Sequence, residues 1–166
     1  MENRYQFRQV TAREIPVVFD LIQRRVAWMD RVGIRQWNTT HYAQEYPLEY
    51  YEERRQQGEL FCLEEMATGR ILCVGALLRQ DARWQTGEDA LYLHHFASEP
   101  EAKGAGSIFL QAVEDHARRQ GKLYLRLDSA VGNAVLENYY ASRGYAEAGV
   151  CVDKLYQGVL RQKKLF

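Results

Sequence analysis

Apolar residues along the chain follow two different periods. Leu91-Tyr92-Leu93-His94-His95-Phe96-Ala97 is rich in apolar and aromatic side chains, as a largely buried strand requires. Past the small residues of Gly104-Ala105-Gly106 the period changes. Phe109, Leu110, Val113 and Ala117 recur at three- and four-residue intervals, while Gln111, Glu114, Asp115, Arg118 and Arg119 take the other face. This spacing predicts a helix with one buried stripe, closed by Gly121. Next, Leu123, Leu125 and Leu127 alternate with Tyr124, Arg126 and Asp128, which predicts a strand over 123–129 parallel to the one before the helix.

The same reading extends to both ends. Residues 5–10 alternate as a first strand, and Thr11-Ala12-Arg13-Glu14 has the spacing of a capping box. The helix that follows carries Ile15, Val18, Phe19, Ile22, Val26 and Met29 on one face, has an irregular first turn at Pro16, and stops at Gly33. Residues 33–47 lack a sustained period and read as a loop with short helical pieces. A helix over 47–57 begins with Glu49, Glu52 and Glu53, ends with Arg54 and Arg55, and closes at Gly58. Residues 59–66 and 71–78 form a hairpin around Ala67-Thr68-Gly69-Arg70, and 80–89 is a second polar turn. Asn133 caps a helix that Gly144 ends, and 145–152 and 156–164 are the final strands.

The resulting order, β-α-α-β-β-β-α-β-α-β-β, is a mixed α/β (α+β) arrangement with helices on both faces of the sheet. With 166 residues and no linker or internal repeat, we read a single domain over 1–166. The 22 basic and 22 acidic residues cancel, which argues against nucleic acid as a partner and makes the basic run Arg161-Gln162-Lys163-Lys164 a solvated end. No run nears the roughly 20 apolar residues of a membrane span, and Met1-Glu2-Asn3-Arg4 lacks a signal-peptide core, so we expect a cytoplasmic protein without membrane contact. Cys62, Cys73 and Cys151 have neither an even count nor a C-x-x-C pair, so we expect small buried residues, not disulfides or zinc ligands.

A strand that enters a helix through small residues leaves backbone N–H groups at the positive end of the helix dipole. Gly104-Ala105-Gly106 can therefore cradle a phosphate or simply make a tight connection. A dinucleotide fingerprint is excluded by Phe109 at the third-glycine position, and no P-loop Gly-Lys-Ser/Thr is present.

Three segments together resemble the GNAT superfamily of acyl-CoA-dependent N-acetyltransferases over almost the whole chain. Gly104-Ala105-Gly106 is similar to that family's Q/R-x-x-G-x-G/A pyrophosphate loop. The run from Asn133 through Tyr140 to Gly144-Tyr145 looks like its N...Y-x-x-x-G-F/Y segment. Gly33-Ile34-Arg35-Gln36-Trp37 is similar to a subset of bacterial members with uncharacterised acceptors. The loop departs from the pattern: it is about two residues short, and Glu101 stands where the family has Gln or Arg. In the alternative register Lys103 stands there, but Ile108 then replaces the second small residue. We prefer the first register, with Glu101 pointing outward and Lys103 supplying positive charge.

The resemblance implies a mostly antiparallel sheet of about six or seven strands containing a parallel β-α-β cofactor unit. It implies acetyl-CoA as co-substrate and no metal. Backbone groups of Phe96, Ala97 and Ser98 would pair with the pantetheine arm, and the amides of Ala102, Lys103, Gly104, Ala105, Gly106 and Ser107 would hold the pyrophosphate. Asn133 would be a cap with a cofactor hydrogen bond. Tyr140, four residues before Gly144, matches the general acid for the leaving thiolate. A phenol near ~10 is about 1.5 pKa units weaker an acid than a thiol near ~8.5, so the transfer costs roughly 2 kcal/mol. The competing reading of Tyr140 is a packed helix aromatic.

For the base, strand alternation sends His94 and His95 to opposite faces, which rules out joint chelation, and puts Tyr92, His94 and Phe96 on one face. His94 is the candidate, against the reading of a structural histidine or a water chain in its place. Trp28, Trp37, Tyr42 and Tyr46 would line the acceptor site, with core packing the stronger reading for Trp28, and Glu45 and Glu49 would attract a cationic amine. The implied reaction moves acetyl to a primary amine, a small molecule before a protein. The alternative is a non-catalytic acyl-CoA-binding module or sensor. Members of the family often pair, so the resemblance allows a homodimer.

Overall fold

The structure is a computed structural model that describes residues 3–85 and 87–166; Met1 and Glu2, and Thr86 of the second polar turn, lie outside the described residues. The strands are β1 (Tyr5–Gln9), β2 (Leu60–Glu65), β3 (Arg70–Leu78), β4 (Ala90–Ser98), β5 (Tyr124–Ala130), β6 (Ala146–Asp153) and β7 (Tyr156–Lys164). The helices are α1 (Ile15–Val32), α2 (Tyr42–Glu45), α3 (Leu48–Gln56), α4 (Ala105–Arg119) and α5 (Ala134–Ala141), with 3-10 turns at Ala12–Glu14 and Trp37–Thr39. The strands form one seven-stranded sheet in the order β1-β2-β3-β4-β5-β7-β6. Neighbours are antiparallel except β4 and β5, which α4 connects as a parallel pair.

Each sheet face buries one group of helices. Phe109, Leu110 and Val113 of α4 and Tyr140 of α5 pack with Phe61, Leu63, Leu91 and Leu93. On the opposite face Val18, Leu21 and Ile22 of α1 and Tyr51 of α3 pack with Leu60, Cys62, Val74 and Ala76. All three cysteines are buried and free.

Some local expectations are corrected. Thr11 makes no capping bond; its hydroxyl donates to the Glu14 carboxylate at 2.7 Å, and the irregular first turn foreseen at Pro16 is a 3-10 turn. Glu114, expected on the solvated face of α4, is buried and pairs with Lys163 of β7 at 2.5 Å. A stripe read from periodicity alone does not register a neighbouring strand that supplies a cation.

The largest correction lies in β4. Val74 pairs with Ala97, and Ala76 pairs with His94, so β4 takes three steps where β3 takes two. The extra residue is His95, whose φ of 55° is left-handed. This bulge shifts the phase of the strand. Tyr92 packs beside Trp84, whereas Phe96 stacks on Phe109 of α4 at 5.5 Å, so the two lie on opposite faces. His94 and His95 fall on the same side instead of opposite ones, with ring centroids 6.0 Å apart. Across from the bulge a Cβ on Gly75 would come 2.8 Å from Leu93 Cδ1 and 2.9 Å from Phe109 Cε1, closer than atoms can approach. Glycine lets α4 press against the sheet at this point.

The parallel pair is short. Ala90 opposes Tyr124, Leu91 opposes Leu125 and Tyr92 opposes Arg126, after which β4 and β5 diverge. Arg126, at that last register, is 1% exposed. Its guanidinium donates to Tyr92 Oη at 3.2 Å and Glu88 Oε2 at 2.7 Å, and its Nε donates to Gln162. It also lies 4.4 Å from the Trp84 ring centre. The sheet therefore opens as a fork above a fixed apex.

Candidate active site

The fork leaves the facing edges of β4 beyond Tyr92 and of β5 beyond Arg126 without each other as partners. An extended amide-bearing ligand could complete such edges. At its upper end, Gly104 has a φ of 86° and is the N-cap of α4. The Ala105 amide is used by the Ala102 carbonyl at 3.1 Å. Gly106 and Ser107 follow in the first helical turn, where N–H groups have no intrahelical acceptor and the dipole favours an anion. A Cβ on Gly106 would lie 3.6 Å from Phe96, so the fork wall and the helix start meet here. Glu101 and Lys103 are both exposed.

A cleft of about 380 Å³ runs from this turn to the bulge, lined at the upper end by Phe96, Ser98, Ala102, Lys103, Gly104, Gly106 and Ser107. Ala97 and Ala105 are buried behind it. Asn133 does not line the cleft: its Oδ1 accepts from the Leu136 amide at 3.2 Å and its Nδ2 donates to Gln36 at 3.3 Å. It is a helix cap whose amide is engaged at both its oxygen and its nitrogen.

Toward the bulge the cleft is polar. His94 Nε2 lies 2.8 Å from Asp81 Oδ2, and the side chains are 14% and 8% exposed. Burial alone would raise the Asp81 carboxyl, but the hydrogen bond and charge of His94, with Arg83 behind them, hold it below the usual range. Arg83 reaches across from the same turn to Asp128 of β5 at 3.2 Å and Asp153 of β6 at 2.9 Å. Tyr156 donates to the other Asp128 oxygen at 2.5 Å. Ligand atoms of Asp81, His94 and Asp128 lie within 4.8 Å of one another, the one grouping among the described residues whose donors could surround a metal ion. Both Asp128 oxygens already have partners, one of them a guanidinium, and a guanidinium opposes a second cation at that point.

Tyr140 lines the cleft and is 6% exposed. Burial pushes its hydroxyl well above the ordinary phenol range, so it is a weaker acid than an exposed tyrosine and proton donation from it costs more. Trp28 is half-buried at the cleft wall under the Arg25 guanidinium, 4.0 Å from its ring centre, and is not a core residue. Trp37 and Tyr42 stack at 4.6 Å, and Tyr46 packs on Tyr42 at 4.9 Å. Glu45 lines the cleft but is paired with Lys154 at 2.7 Å; Glu49 is exposed and does not line it.

His95 is the other group at the bulge, 8% exposed and lining the same cleft. Its Nδ1 meets the Tyr42 hydroxyl, and its Nε2 lies 2.9 Å from the Tyr50 hydroxyl. Burial, then the neighbouring His94, Arg83 and Arg54, push its pKa well below the usual histidine value, so the ring is neutral.

The structure thus brings His94, Tyr140, Trp28, Trp37 and Tyr42 to one cleft with the α4 turn. Sequence reasoning missed Asp81, Arg83, Asp128, Tyr156 and the role of His95. Two of these sit in a segment read only as a polar turn. His95 carried one signal, its adjacency to His94 in a strand, and only the bulge gives that adjacency meaning.

The GNAT acetyltransferase family matches residues 26–145, more than half of the chain. No curated sequence matches it. Among solved structures, a GNAT family acetyltransferase from Listeria monocytogenes superposes with a TM-score of 0.79 at 20% identity, covering 96% of this chain and 94% of that one. The PaiA N-acetyltransferase of Thermoplasma acidophilum, solved with coenzyme A, gives 0.74 at 17% identity, covering 96% and 98%. A putative acetyltransferase from Salmonella typhimurium, solved with acetyl-CoA, gives 0.68 at 17% identity, covering 99% and 95%.

Proposed function

The chain belongs to the GNAT acetyltransferase family, and on that premise we propose that it acts as one domain over 1–166 to move acetyl from acetyl-CoA to a primary amine of a small molecule. The observation that carries the reading is the fork between β4 and β5, which joins the first turn of α4 to the cleft holding His94 and Tyr140.

In this reading the backbone of Phe96, Ala97 and Ser98 pairs with the pantetheine arm. The turn from Ala102 to Ser107 holds the diphosphate, with Lys103 adding charge. The amine enters past Trp28, Trp37 and Tyr42. Its proton passes to the free nitrogen of the His94 ring, whose plane Asp81 fixes by accepting from Nε2–H. The amine nitrogen then attacks the thioester carbonyl, a backbone N–H at the bulge steadies the oxyanion, and the carbon–sulfur bond breaks. Tyr140 gives its proton to the departing thiolate and takes up in its place the second proton, which the nitrogen sheds as it becomes an amide. No covalent enzyme intermediate and no metal take part.

Isothermal calorimetry with acetyl-CoA, followed by an amine-library screen that detects free thiol, tests the proposal. We expect saturable binding and thiol release with a subset of primary amines. Binding without release on any amine would instead support an acyl-CoA sensor, and no binding would remove both readings.

A further inference from the structure

His95 occupies the position where β4 gains its extra residue, and a left-handed φ on a non-glycine residue persists only where its surroundings fix it. Here the surroundings are two tyrosine hydroxyls, Tyr42 from α2 on Nδ1 and Tyr50 from α3 on Nε2. A neutral imidazole offers one N–H and one lone pair, so one tyrosine donates to it and the other accepts from it. Tyr46 and Tyr51 close the cage, with ring centroids 4.4 Å and 5.6 Å from that of His95. The ring cannot rotate without losing both bonds.

The bulge in turn decides what the upper half of β4 presents to the fork. It turns Phe96 onto α4 and sets the phase of Phe96, Ala97 and Ser98. We propose that His95 is a positioning residue for acetyl transfer: the chain Tyr42–His95–Tyr50 holds the bulge and so aims the backbone beyond it at the pantetheine arm and the thioester. This rests on the acetyl-CoA reading above. It adds that the acceptor wall at Tyr42 and the cofactor slot are set by one side chain.

The test compares the wild type with His95→Ala, His95→Asn and the double variant Tyr42→Phe/Tyr50→Phe. Calorimetry is run with acetyl-CoA and with 3′-phospho-ADP, the cofactor's nucleotide half without the pantetheine arm. His95→Ala and the double variant are expected to bind acetyl-CoA roughly five- to twentyfold more weakly, the effect of losing two hydrogen bonds that fix one backbone state. His95→Asn, which tolerates the left-handed region and keeps a polar side chain, recovers most of that loss. Affinity for 3′-phospho-ADP stays at the wild-type value throughout. Undiminished acetyl-CoA affinity in the double variant overturns the inference, as does an equal loss for both ligands, which marks general loosening. If His95→Ala does not fold, the double variant decides alone. A wild type that binds neither ligand counts against the acetyl-CoA reading itself.

Discussion

Nε2 of His94 lies 2.8 Å from Oδ2 of Asp81, a carboxylate thirteen residues earlier on the far side of the turn between β3 and β4. The contact fixes the imidazole plane at the polar end of the cleft. In the proposed base role the ring needs no reorientation when it takes up a proton, because Asp81 already accepts from Nε2–H and leaves the other nitrogen to receive it.

Asp81→Asn keeps the shape and removes the charge that stabilises protonated His94. Steady-state turnover should fall about ten- to a hundredfold, less than the loss of a general base itself, while the Kd for acetyl-CoA stays within about twofold. Equal turnover in the variant and the wild type would remove His94 from the base role.

Tyr140→Phe should lower kcat about a hundredfold or more with cofactor affinity nearly unchanged. Burial already makes this phenol a reluctant acid, so its contribution has to come from direct placement beside the sulfur. Pre-steady-state thiol release is the measurement. An unchanged rate would assign the proton to water.

His95 predicts a pH dependence of stability. Its folded pKa lies below the unfolded value of about 6.5, because of burial first and the neighbouring His94, Arg83 and Arg54 next. The hydroxyls facing it, from Tyr42 and Tyr50, titrate far above this range. The unfolded chain therefore binds the proton that the folded chain refuses. The stabilisation is fully present above about pH 6.5 and is lost as pH falls toward the folded pKa, with a slope of at most about 1.4 kcal/mol per pH unit. His116, half-buried and also shifted downward, adds to the same window. Urea titrations between about pH 7.5 and about pH 4.5 on His116→Gln and His116→Gln/His95→Asn should show the slope shrinking in the double variant.

Gly75→Ala should destabilise the fold by about 1–3 kcal/mol, since the added methyl meets Leu93 and the Phe109 ring with no room to relax. Chemical denaturation gives the value. A neutral result would mean that α4 can lift from the sheet at the bulge, and acetyl-CoA affinity would then report how far.

The architecture was legible because helices and strands announce themselves by period, and glycines such as Gly33 and Gly144, with φ of 76° and 87°, mark where helices stop. The α4 turn and Tyr140 were legible as residues at fixed spacing. What stayed hidden was long-range or phase-dependent. No local pattern reports that Arg83 will bridge β5 and β6, or that Lys163 will make a place for Glu114 inside the fold. Strand alternation assumes one residue per step, and His95 breaks that assumption without a glycine to signal it.

The apex of the fork, finally, constrains how the protein can accommodate length. Arg126 is bonded to the strand on one side through Tyr92 and to β7 on the other through Gln162, under the indole of Trp84. Two strands riveted at that register cannot unzip by another pair to make the slot deeper. In the proposed acetyl-CoA pose, an acyl group longer than acetyl would gain no room along the strands and would have to extend toward the aromatic wall of Tyr46 and Trp37. A single buried arginine thus sets where the fork begins.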